Sequence, residues 1–127
     1  MNTKTLSQKL FLRSGYQFII LNEPESYREI LGELPEGAEE RKKLSGGMDF
    51  IQYFVSKRKQ LENDLPKIIS NLKPEGLIWI SYPKGTSKMP SDINRDIIWK
   101  IGDSLGIKGV SMISIDDTWS AFRFKKI

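Results

Sequence analysis

Apolar residues in this chain gather in short uninterrupted runs separated by polar, turn-forming segments, and one run organises the others. Within Leu72–Lys84, residues Leu77, Ile78, Trp79 and Ile80 stand consecutively between Pro74-Glu75-Gly76 and Pro83-Lys84-Gly85. A strand apolar at every position must be buried on both faces, which predicts the middle of a parallel sheet with helices on each side. Tyr16–Leu21 and Met48–Val55 have the same character, aromatic and β-branched with little alternation, and predict two further strands. Val110–Ile115 predicts another. Trp119–Lys125 instead alternates, Ser120, Phe122 and Phe124 against Ala121, Arg123 and Lys125, the pattern of a half-exposed strand whose charges protect an edge. The Asp116-Asp117-Thr118 connection is so short that these last two strands must form an antiparallel hairpin.

Helical spacing fills the intervals. Leu6 and Leu10, one turn apart, predict a short helix within an N-terminal arm, residues 1–14. Pro24 suits the first position of a helix over Glu25–Leu31, with Gly32 near its C-cap. Glu33–Ser45 is polar and holds at most a short outer strand near Ala38–Lys42. Leu61, Leu65, Ile68, Ile69 and Leu72 share one helix face, with Ser56 as cap and Pro66 predicting a kink or restart near Asp64–Pro66. Ile93, Ile97, Ile98, Ile101 and Leu105 form the stripe of a helix capped by Ser91 or Asp92 and ended by Gly106. This order predicts a three-layer α/β sandwich with right-handed crossovers, its mostly parallel sheet of five or six strands ending in the hairpin. A single domain over residues 1–127 is the expectation, with no internal repeat or low-complexity tract.

Composition narrows the chemistry. Cysteine and histidine are both absent, which removes thiolate nucleophiles, disulfides, imidazole bases and zinc sites built from those ligands. Proton transfer would fall to Asp, Glu, Lys or Tyr, and no metal site is expected; any metal would need oxygen ligands. Twenty Lys and Arg against 16 Asp and Glu leave a net charge of +4, which could mark a polyanion partner. The basic residues are interspersed with acids, as in Glu39-Glu40-Arg41-Lys42-Lys43, so a solvated mixed-charge surface is the preferred reading and nucleic acid is not the expected partner. No apolar run approaches the ~20 residues that span a bilayer, and Met1–Arg13 lacks a signal-peptide apolar block. A cytoplasmic protein without membrane association is the default expectation.

Ligands of parallel sheets bind beyond the carboxyl ends of the strands. That rule collects Asn22, Glu23, Ser81, Lys84, Ser87, Asp92, Arg95, Asp116 and Trp119 as candidate binding residues, with Lys84 and Lys88 facing anionic groups near a helix N-terminus. Loop polarity alone accounts for the same residues and is preferred, because no catalytic signature accompanies them. Lys84–Lys88 is not a phosphate-binding loop of the GxxxxGK[ST] kind. On the helix after Pro90, Asp92, Arg95, Asp96, Trp99 and Asp103 form a polar stripe opposite the apolar one. Trp99 is then either an exposed anchor or covered by the preceding loop, whereas Trp79 belongs to the core.

Asp49–Val55, Leu65–Leu72 and Lys73–Ser81 follow a pattern, DxxxxxxV, helix, LLPxLLxxLKPGGxLxxS, that resembles the later half of the Rossmann-like class I methyltransferase fold. Leu21-Asn22-Glu23-Pro24, Leu72–Lys84, Arg95-Asp96 and Asp116–Phe122 also resemble the LNxP, LKPxGxLWxSxPK, RD and DxTWSxxxF motifs of a family of small bacterial proteins known as a domain of unknown function. The methyltransferase resemblance implies a cofactor turn rich in glycine after the first strand, and an acid after the second strand to hold the ribose of S-adenosylmethionine (SAM). Here the turn is Asn22-Glu23-Pro24-Glu25, and the acid could only be Glu39 or Glu40. The expectation is a methyltransferase-like remnant without cofactor or catalytic residues, binding a small anionic ligand or a protein partner. The alternatives are a small enzyme using carboxylates and Lys84, and a weak nucleic-acid-associated protein.

Overall fold

The structure, a computed structural model, describes residues 4–127. Ten elements follow one another: α1 (Leu6–Lys9), β1 (Gln17–Leu21), α2 (Tyr27–Leu31), β2 (Glu39–Glu40), β3 (Met48–Phe54), α3 (Arg58–Ser70), β4 (Leu72–Pro83), α4 (Arg95–Ser104), β5 (Ile107–Ser114) and β6 (Trp119–Lys126). The six strands form one sheet in the order β2-β1-β3-β4-β6-β5. The first four are parallel; β6 runs antiparallel to both β4 and β5.

Each face of the sheet carries a core of its own. Leu61, Leu65 and Ile68 of α3 and Ile98 of α4 pack with Ile51, Ile78, Ile80, Phe122 and Phe124 on one side. Leu6 of α1 and Tyr27 and Leu31 of α2 pack with Phe18, Phe50, Phe54 and Trp79 on the other. Fully burying one such side chain contributes about 1.5–3 kcal/mol, so the continuous apolar runs of β1, β3 and β4 force two covered faces. Trp79 is fully buried, as expected, and its indole N–H donates to Leu10 O at 2.8 Å, tying the end of α1 to the sheet.

The sheet departs from the sequence expectation around β4 and at its edge. β4 lies between parallel β3 and antiparallel β6, so it is the strand at which the sheet changes direction rather than the middle of a parallel one. β6 is not an edge. Trp119 and Ala121 are buried on one face and Phe122 and Phe124 on the other, which an edge position could not provide. The edge is β5, where Lys108, Val110, Met112 and Ser114 are exposed and a register shift between Gly109 and Ser111 breaks the ladder, a feature that discourages pairing with other chains. Gly109 carries no side chain because a Cβ there would stand 2.6 Å from the Phe122 ring.

Helix boundaries also moved, each for a local reason. α2 starts at Tyr27, because Ser26 takes a left-handed conformation (φ 64°) that cannot join the helix begun by Pro24. α3 runs unbroken through Pro66 with no restart. Pro66 and Glu62 are both exposed, so the Glu62 carbonyl that loses its partner faces water, while Leu61, Leu65 and Ile68 stay seated on the sheet. The N-cap of α3 is Lys57, not Ser56, and that of α4 is Asn94, whose Oδ1 accepts from Ile97 N at 2.9 Å. Among the described residues, no helix is long and apolar enough to cross a membrane.

Candidate functional site

β1 pairs with β2 on one side and β3 on the other, so the chain diverges at the carboxyl ends of β1 and β3, where α/β sheets open a crevice. Here protein side chains close it. Asn22 leaves β1 in a left-handed conformation (φ 58°) and its Nδ2 donates to Phe54 O at 3.3 Å, bridging the two strand ends. Phe54 in turn meets Tyr27 and Trp119 edge-to-face, with centroids 4.8 and 5.0 Å apart. Beneath these rings the Tyr27 hydroxyl donates to Gln52 Oε1 at 2.6 Å, and Gln52 Nε2 donates to Ser81 Oγ at 3.1 Å. All three residues are buried, and burial holds the Tyr27 hydroxyl well above the ordinary tyrosine range, only partly offset by its bond to Gln52.

Outside this plug, Arg28 of α2 gathers two carboxylates. Its Nη1 and Nη2 donate to the two oxygens of Glu40, at the end of β2, at 2.7 and 2.5 Å. Its Nε and Nη2 donate to Glu23, in the turn after β1, at 2.9 and 2.8 Å. The hydrogen bond from Arg28 lowers the Glu23 pKa below the ordinary carboxylate range, and the two carboxylates raise that of Arg28. Arg28, Tyr27 and Gln52 were not among the sequence candidates. The one available signal was Gln52, a polar residue inside the otherwise apolar run of β3.

The remaining candidates are dispersed. Ser81 lies within the core, bonded to Gln52, and not on the open edge. Lys84 Nζ donates to Ser114 Oγ at 2.6 Å and its backbone N–H to Thr118 O, while Ser87 Oγ turns back on Lys84 O. Asp116 Oδ1 accepts from the N–H groups of Thr118 and Trp119 at 2.9 and 2.8 Å, an Asx turn that shapes the hairpin. Asp92 Oδ1 accepts from Arg58 N at 2.6 Å and so serves the first turn of α3. Arg95 lies 3.8 Å from Asp96, both strongly exposed. Trp99 is 47% exposed, the open one of its two expected settings. Of the nine candidates, Asn22 and Trp119 meet at Phe54 in the closed crevice, and Glu23 stands just outside it with Arg28.

A cavity of about 170 Å³ remains on the α3 side of the same edge, lined by Leu21, Asn22, Leu44, Tyr53 and Asp64 among others. Ligand pockets for drug-sized molecules hold about 300–1,000 Å³, so this one is small for an adenosyl group. Inside it Tyr53 donates to Asp64 at 2.8 Å, and burial raises the tyrosine's pKa.

No family model matches the chain, and no curated protein matches it in sequence. Solved structures match its shape. The DhpI–SAH complex superposes with a TM-score of 0.65 at 10% identity, over 96% of this chain and 82% of that one. A SAM-dependent methyltransferase from Aquifex aeolicus gives 0.62 at 10% identity, over 94% and 87%. A TehB-like SAM-dependent methyltransferase from Corynebacterium glutamicum gives 0.59 at 13%, over 90% and 82%. The fold is the Rossmann-like fold of these methyltransferases.

The residues at the strand ends do not fit the cofactor that this fold carries. From Leu21 to Leu31 there is no glycine, so the turn lacks the bare backbone by which dinucleotide folds let a ligand approach closely. Glu40 stands at the end of β2, about 20 residues past that turn, where such folds place the acid for a ribose hydroxyl. Both of its oxygens are taken by Arg28. The ion pair alone is a weak barrier, since its side chains are 40% and 38% exposed and pairs of that kind contribute about 1 kcal/mol or less. The crowded turn and the buried aromatic plug are the larger obstacles.

Proposed function

We propose that this chain is a non-catalytic domain on a methyltransferase scaffold, one that binds a small ligand or a protein partner instead of using SAM. The observation that carries the reading is the glycine-free turn after Leu21 closed over by the packed rings of Tyr27, Phe54 and Trp119, with Arg28 holding Glu40 as a weaker addition. A working SAM-dependent methyltransferase is the competing reading, and it draws on the similarity over most of this chain to the DhpI–SAH complex. A small enzyme built on Lys84 and Asp92 draws less support, because both side chains are spent on Ser114 and on the first turn of α3.

A thermal-shift screen of the purified protein against SAM, S-adenosylhomocysteine, nucleotides and sugar phosphates tests the proposal. A ligand at 100 times its Kd stabilises the native state by about 2.7 kcal/mol, which is a readable rise in Tm. The reading requires no rise with either adenosyl compound. A rise with SAM that is absent with the nucleotides would replace it with the methyltransferase reading.

A further inference from the structure

A groove of about 380 Å³ lies away from the strand ends, where the end of α1 faces β4, β6 and β5. Its apolar lining comes from Phe11, Trp79 and Ile113, and its charged lining from Lys4, Lys9 and Arg123, with no carboxylate. Among the described residues none of these three cations takes part in an ion pair. Arg123 Nε is buried and donates to no acceptor. Buried polar groups without partners are rare in native structures, so this donor, on a residue that lines the groove, calls for an acceptor.

Phe11 supplies a second, independent observation. The N–H of Phe11 bonds Gln8 O and that of Leu12 bonds Ser7 O, so α1 ends in a Schellman motif with Phe11 at the left-handed position (φ 61°). Glycine is the usual residue there, because a Cβ is strained at positive φ. The chain instead sets a large aromatic at that point, 37% exposed, with the guanidinium groups of Arg123 and Arg13 5.1 and 5.8 Å from its ring centroid. Residues held in a sparsely populated backbone region cluster at ligand clamps, and this one sets its ring in the wall of the groove.

We propose that this groove binds a small organic anion with a flat apolar body. The anionic head, a carboxylate or phosphate, accepts from Arg123 and the lysines of the α1 segment, and the body lies against Phe11 and Ile113, above the buried Trp79. The site is separate from the strand-end edge and stands whether or not that edge takes a cofactor.

The test is a titration of the ¹⁵N-labelled protein with 2-naphthoate, followed by NMR, with neutral 2-naphthamide as the control. The acid shifts the Trp79 indole and Arg123 Nε–H signals together, and the amide binds about tenfold or more weakly, as expected when a charge-assisted hydrogen bond is lost. R123Q weakens naphthoate by a similar factor. F11G also weakens it, and a retained amide fingerprint of the sheet in its ¹⁵N spectrum shows that loss of binding by this variant is not loss of fold. Shifts scattered away from the groove, equal binding of acid and amide, or undiminished binding by both variants would overturn the proposal.

Discussion

Asp92 Oδ1 sits 2.6 Å from the backbone nitrogen of Arg58, so the first turn of α3 is capped by a residue from the loop that follows β4. Lys57, at the N-cap position itself, offers no side-chain acceptor. D92A should therefore lower stability by about 1 kcal/mol, the usual cost of losing an N-terminal cap. Urea denaturation measures it. D92N, which keeps an acceptor oxygen, should recover most of the loss. A catalytic role for Asp92 predicts the opposite, unchanged stability in both variants.

The buried chain from Tyr27 through Gln52 to Ser81 makes a second prediction. Y27F strands Gln52 Oε1 without its donor, at a cost of about 1–3 kcal/mol. The Y27F/Q52L double variant removes both partners, and its loss should be smaller than the sum of the two single losses. A double-mutant cycle in urea reads the difference.

Glu23 makes the acid side of the stability profile sensitive to Arg28. Its folded pKa lies below the ordinary 4.5 because Arg28 hydrogen-bonds the ionised form. A depressed carboxylate contributes stability that is complete above the unfolded pKa and lost as the pH falls through the folded one. E23Q should therefore be less stable than the wild type at pH 7, by about 1 kcal/mol or less given the exposure of the pair. The gap should close as the pH drops below 4.5. Parallel urea titrations of the two proteins across that range check the sign.

Most of the fold was legible because burial on two faces leaves a local mark. Leu77–Ile80 and Phe50–Val55 could only be interior strands, and the three-residue link at Asp116–Thr118 could only turn a hairpin. The place of β6 was missed because its alternation was read as one wet face, whereas Ala121 and Trp119 face α1 and α2 while Phe122 and Phe124 face α3 and α4. Helix starts were missed where a partner is distant in the chain: Asp92 caps a helix that begins 34 residues earlier. Of the residues that the strand-end rule collected, Asn22 and Trp119 both contact Phe54, while Glu23 is held by Arg28 outside them. Arg28 left no trace, since its distances of five and 12 residues from Glu23 and Glu40 match no helical or strand period. The groove under Phe11 was equally hidden, because it joins the end of α1 to strands near the other terminus.

Isothermal titration of S-adenosylhomocysteine into the wild-type protein tests the closed strand-end crevice most directly. With the turn after Leu21 crowded and Glu40 held by Arg28, no saturable heat should appear up to millimolar ligand. A saturable isotherm in the micromolar range, reduced when Glu40 is changed to alanine, would contradict the account and return this chain to the cofactor-using methyltransferases.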